Sequence, residues 1–189
     1  WTIKSIVKKH SDFIAYPITM NVEKEENEKD DKDKEKKVKK IVKETLNSKE
    51  ALWNKKADTI KEEEYDEFYK HIAHDWEKPL KVIHFSAEGR MEYKVLLYIP
   101  SRKPFYFNYA ERDSQLSLYV KRVLIMADCK DLLPPYLRFV KGLVDARDLS
   151  LNISREMLQQ DRNVLSIKTH LTKKVLDTLN DLKKEDLEK

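Results

Sequence analysis

Glu92-Tyr93-Lys94-Val95-Leu96-Leu97-Tyr98-Ile99 is a short, nearly continuous apolar run, rich in β-branched and aromatic residues, and it predicts an extended segment. Val82–Phe85 before it and Leu116–Met126 after it read the same way, the first two separated by a turn around Gly89. In the third segment Leu116, Leu118 and Val120 share one parity and Val123 and Ile125 the other, as a bulge or a change of neighbour produces. The sheet is expected to be mixed or antiparallel. Upstream, Asp58 or Thr59 can cap a helix whose first turn holds Glu62–Glu64 and whose stripe is Tyr65, Phe68, Tyr69, Ile72 and Trp76, with Pro79 marking the change to strand. Downstream, Pro134-Pro135 breaks the chain and Tyr136–Val144 reads as a short helix. A long helix is expected from about Arg155, with the stripe Leu158, Leu165, Leu171, Val175, Leu179 and Leu182. Strands bracketed by helices predict an α/β fold, a layered α/β/α sandwich with a long C-terminal helix. The expected division is a core over residues 1–153 and a helical segment over 154–189.

The 189 residues, 40% hydrophobic and 38% charged, suffice for a core under a densely ionic surface. The single cysteine, Cys129, excludes an internal disulfide and a multi-cysteine zinc site, and fits a reducing compartment. Apolar runs such as Val95–Ile99 are far shorter than the roughly 18 to 20 residues a membrane helix needs. The chain opens on Trp1 with no signal segment, as an excised piece of a longer protein would. Glu23–Lys37 is charged at every position but Asn27, and reads as a mobile loop or solvated hairpin tip. Its six lysines against eight acids leave −2, so with +4 for the whole chain the remainder carries +6. Such mixed signs argue against nucleic-acid binding, which needs clustered cations.

Two glycines, Gly89 and Gly142, cannot build a phosphate-binding glycine loop. His71 and His74 share a helical spacing but lack a third ligand, so no metal site is expected. Cys129 has no base beside it and reads as a structural thiol, and Asp145 with Asp148 is weak evidence for an acid–base pair.

One segment stands out: Leu149-Ser150-Leu151-Asn152-Ile153-Ser154-Arg155-Glu156-Met157-Leu158-Gln159-Gln160. Asn152 and Ser154 are good caps before a helical pattern. A cation in the first turn opposes the helix dipole, so Arg155 is unfavourable there unless an anion arrives. Gln159 is four residues on and shares its face, and Arg162 extends the stripe. The pair offers guanidinium and amide donors suited to a phosphate oxygen; the alternative is an ordinary ion pair between Arg155 and Asp148 or another acid.

From Glu67 onward the chain resembles the middle domain of the 90-kDa heat-shock chaperone family. The matching blocks, in family order, are Ala51-Leu52-Trp53, Glu67-Phe68-Tyr69-Lys70-His71-Ile72, Glu92 through Pro100, Leu118-Tyr119-Val120-Lys121-Arg122-Val123 and Asp148 through Gln159. The charged stretch Glu23–Lys37 and the aromatic run after Pro104 depart from it. The resemblance implies an ATP-dependent chaperone in which ATP with Mg2+ is bound by a separate N-terminal domain. Arg155 would reach the γ-phosphate, Gln159 would assist and Asn152 would hold the loop that presents them. It also implies ATP hydrolysis by the full-length protein but none by this piece alone. Unfolded clients, cochaperones, a homodimer formed through a C-terminal domain, and a cytoplasmic location complete the expectation.

Phe105 and Trp53 match family positions proposed for client contact. Phe105 lies in Pro104-Phe105-Tyr106-Phe107-Asn108-Tyr109, which reads equally as a strand end with alternating burial or as an exposed aromatic loop. Ordinary packing stays open for Trp53. The rival reading of the whole chain is an autonomous protein- or RNA-binding scaffold with no part in ATP hydrolysis.

Overall fold

The computed structural model describes residues 1–29, 35–89, 91–103, 115–147, 149 and 162–187. The chain divides into two compact units, Trp1–Glu50 and Ala51–Lys189.

In the first unit, helix α1 (Thr2–Ser11) is followed by a hairpin of β1 (Thr19–Lys29) and β2 (Glu35–Thr45). The strands pair antiparallel in unbroken register from Thr19 opposite Thr45 to Lys29 opposite Glu35. The hairpin agrees with the reading of 23–37 as a hairpin tip but corrects its extent, because residues 23–29 and 35–37 are strand rather than loop. Period-two apolar alternation is a signal of half-buried strands, and the run of mixed charges over 23–37 gives none. Two buried polar side chains close the hairpin. The Asn47 carboxamide accepts from the Ile18 amide at 2.8 Å and donates to the carbonyls of Ile14 and Tyr16, both at 2.9 Å. Asp12 Oδ1 accepts from the Ser48 amide at 2.8 Å.

The second unit is a five-stranded sheet of β3 (Pro79–Ala87), β4 (Tyr93–Pro100), β5 (Gln115–Val120), β6 (Val123–Met126) and β7 (Lys141–Ala146), in the order β3-β4-β7-β5-β6. It is mixed: β5 runs parallel to β7 and every other pairing is antiparallel. Helix α2 (Glu62–Ala73) and the short 3-10 turn Leu52–Asn54 cover one face, seen in the ring contacts Tyr69–Tyr98 and Trp53–Tyr119, both at 5.2 Å. Helix α3 (Arg162–Leu187) covers the other, where Val164, Ile167, Leu171 and Val175 join Val95, Leu97, Leu118 and Val144 in one core. The result is the three-layered α/β/α sandwich that the sequence implies.

Several local expectations are corrected. Lys61, not Asp58 or Thr59, precedes α2, and its amide donates to Glu64 Oε2 at 3.2 Å. The helix ends at His74 in the left-handed region, so Trp76 falls outside the stripe and is 90% exposed. The third extended segment is two strands, joined by Lys121 and Arg122, both at positive φ. A two-residue turn of this kind follows the twist of its flanking strands. The short helix expected over Tyr136–Val144 is a single 3-10 turn, Pro135–Leu137, followed by the central strand β7. Every β7 residue is buried, so no alternation marks it as strand in the sequence. Within the described α3, Val164 is in the buried stripe and Leu165, expected there, is exposed, while Leu158 lies outside the described residues.

Candidate functional site

The sandwich brings β7 through the middle of the sheet and straight toward the segment singled out in the sequence. Ala146 pairs with Tyr93, the Arg147 amide donates to the Glu92 carbonyl at 3.0 Å, and Leu149 is buried in the core. On the far side, α3 is anchored two residues after its first by Val164, also buried. The segment is therefore held at both flanks by one core. Asn152, Arg155 and Gln159 themselves lie outside the described residues, as do Asp148 and the client-contact candidate Phe105. Arg162 is exposed at the start of α3, whose first turn carries no acid. A cleft of about 640 Å3 opens beside that turn, between Glu88 and Met91 on one side and Arg162, Ser166 and His170 on the other.

Trp53, the second client-contact candidate, is 0% exposed. Its ring lies against Phe68 of α2 at 5.9 Å and Tyr119 of β5, and its indole N–H donates to Asp145 Oδ2 at 2.8 Å. A client could meet this ring only if those neighbours opened. Around it lies a polar network on the α2 face. Asp145, buried, also accepts from the Arg122 amide at 3.1 Å. Lys94, opposite Asp145 on β4, donates to the Asn54 carbonyl at 3.4 Å. Burial lowers the pKa of Lys94, with Arg147 and Arg122 adding to the effect and Asp145 opposing it. His84 Nε2 is 3.3 Å from the Trp53 carbonyl, and the Tyr65 hydroxyl is 2.6 Å from Nδ1. Because a carbonyl only accepts, Nε2 carries the proton and Nδ1 accepts from Tyr65. Burial depresses the His84 pKa and so favours this neutral ring.

Sequence reasoning missed this network. Its one legible signal was Asp145, a carboxylate among the apolar residues Leu143, Val144 and Ala146, which calls for buried partners. Of the weakly indicated pair Asp145 and Asp148, Asp145 accepts from Trp53 and Arg122, while Asp148 lies outside the described residues. Cys129 is fully buried and its thiol is pushed up to about 11 by that burial, which suits a structural thiol. Among the described residues no group of His, Cys, Asp and Glu could hold a metal ion, and no helix is long and apolar enough to cross a membrane.

Fold and network together define a layered α/β domain whose glycines serve the backbone rather than a phosphate loop. Gly89 sits in the β3–β4 turn and Gly142 lies against β4. Comparison with known proteins gives the family. The family described as Hsp90 protein matches residues 20–189. The chaperone protein HtpG of Bdellovibrio bacteriovorus is 56% identical over 182 residues, 96% of this chain and 26% of the relative. The HtpG proteins of Mycolicibacterium paratuberculosis and Mycolicibacterium vanbaalenii are 54% and 52% identical, covering 98% and 100% of this chain and 29% of each relative. The chain belongs to the Hsp90 family. It spans between a quarter and a third of the length of these relatives.

Proposed function

We propose that this chain is the middle part of an ATP-dependent chaperone and completes an ATPase site whose nucleotide pocket lies in a separate N-terminal domain. The observation that supports the reading is the segment Leu149–Gln160: Leu149 at its start and Val164 beyond its end are buried in the core, and the four-residue spacing of Arg155 and Gln159 is that of neighbours on a helix. A guanidinium and a carboxamide are hydrogen-bond donors matched to phosphate oxygens. With two glycines in all, the chain suits donation to a nucleotide held elsewhere better than cradling one itself.

Bound ATP with Mg2+ supplies the transferable phosphoryl group. Arg155 then serves to neutralise charge at the γ-phosphate, Gln159 to steady the same group, and Asn152 to hold the loop in place. An arginine brought from a second structural unit accelerates phosphoryl transfer by about 10³ to 10⁵ in GTPases, which gives the scale available to such a residue. Phe105 is proposed as a contact for unfolded clients. Trp53 joins it only in a state that uncovers the ring. A homodimer joined through a C-terminal domain, cochaperones and a cytoplasmic location belong to the same reading.

The test is Arg155→Ala in the full-length gene product. Steady-state hydrolysis is expected to fall by about two orders of magnitude. Equilibrium binding of ATP is expected to stay near the unsubstituted value, because the pocket is elsewhere. Undiminished turnover refutes the assignment.

A further inference from the structure

The Asp145 carboxylate does three things at one point in the fold. It belongs to β7, the central strand, only four residues before buried Leu149. Through Oδ2 it holds the indole of Trp53, from the 3-10 turn Leu52–Asn54, and through Oδ1 it holds the backbone of the β5–β6 turn at Arg122. Each of these attachments has a reason to be strong. Arg122 is a non-glycine residue at φ 67, a conformation that costs roughly 1 to 2 kcal/mol unless its surroundings enforce it. The enforcement comes from β7, because the Lys121 amide donates to the Ala146 carbonyl at 3.2 Å and the Arg122 amide to Asp145. Trp53 in turn is wedged between α2 and β5 by Phe68 and Tyr119. A buried carboxylate needs every one of its partners, so losing one strains the rest of the set.

We propose that Asp145 is a positioning residue: it ties the Trp53 turn and the β5–β6 turn to the end of β7, and thereby sets where β7 hands the chain on to Leu149. The proposal rests on the ATPase reading given above. Displacing Trp53 loosens the end of β7 and with it Leu149, from which the chain runs on to the donors named in that reading. The consequence is a change in kcat rather than in nucleotide affinity, since neither Trp53 nor Asp145 belongs to the nucleotide pocket.

The experiment is a double-mutant cycle on ATP hydrolysis by the full-length protein, with Trp53→Phe, Asp145→Asn and the pair combined. Trp53→Phe keeps an aromatic ring but removes the indole donor; Asp145→Asn keeps the shape but leaves one accepting oxygen. Each single change is expected to lower kcat by about threefold to tenfold with KM for ATP unchanged, and the double variant to be no worse than the singles. Wild-type kcat in Trp53→Phe, effects that multiply in the double variant, or a loss that follows the unfolded fraction in parallel melting curves would each overturn the proposal. If Asp145→Asn does not fold, Trp53→Phe alone decides, by whether kcat falls at unchanged KM. Arg155→Ala measured alongside separates the two failures. When it abolishes turnover and Trp53→Phe does not lower it, the coupling is wrong and the ATPase reading stands; when it leaves turnover intact, both fall.

Discussion

Gly142 occupies a place where no side chain fits. A Cβ there would lie 2.1 Å from the Leu96 carbonyl oxygen and 2.8 Å from the Leu97 Cα, both backbone atoms that cannot step aside, and its φ of 132° disfavours any L side chain. Gly142→Ala is expected to destabilise the fold by about 3 kcal/mol or more, read as a shift of the urea midpoint; a shift within error would contradict the close approach of β7 and β4. At His84 the outcome depends on pH. Burial lowers its pKa in the folded protein from the ordinary 6.5, so below that value the unfolded chain binds more protons than the folded one. Stability contributed by the neutral ring is therefore present above pH 6.5, falls as the pH drops below it, and is wholly lost once the pH is under the folded pKa. Melting curves should show His84→Gln losing less stability than the unsubstituted protein over that acid interval. Parallel losses would mean that His84 does not hold the Trp53 carbonyl as a neutral donor. Of such residue-level features, the cation of Arg155 at a helix start is the local oddity the sequence offers, while its role and that of Gln159 come from the family resemblance and lie outside the described residues. The Trp53–Asp145 bond could not, since its partners are 92 residues apart.

Helix α3 shows how far an element is legible. Its position near the chain end and most of its inner stripe, Leu171, Val175, Leu179 and Leu182, follow from helical spacing. Its phase at the N-terminal end does not, because Val164 and Leu165 are adjacent and equally apolar, and only packing decides that Val164 turns inward and Leu165 stays 55% exposed. Ile167→Ala is expected to cost about 2 to 5 kcal/mol and Leu165→Ala under about 1 kcal/mol in denaturant titrations. Similar costs at the two positions would contradict the observed phase. Strand β4 was readable from its length and composition. Strand β7 was not, because six residues buried on both faces carry no period and follow two prolines and a turn. The hairpin β1–β2 was legible as a charged hairpin tip, but the reach of its strands into that charged stretch was not, since a run of mixed charges carries no apolar period.

At the scale of the molecule, the layered α/β/α arrangement follows from the order of elements, whereas the division after Glu50 does not, because no proline or glycine marks it. The functional reading stands at this scale too: the chain is about a quarter to a third of its Hsp90-family relatives, and its proposed donors act on a nucleotide held by another domain. That claim is open to a direct test in two pieces. The isolated nucleotide-binding domain of the same protein is assayed for ATP hydrolysis with increasing amounts of this chain, either unsubstituted or as Arg155→Ala. The account predicts a concentration-dependent rise in hydrolysis with the unsubstituted chain and none with Arg155→Ala. Equal stimulation by both, or no stimulation by either up to concentrations at which the two pieces measurably associate, would contradict it.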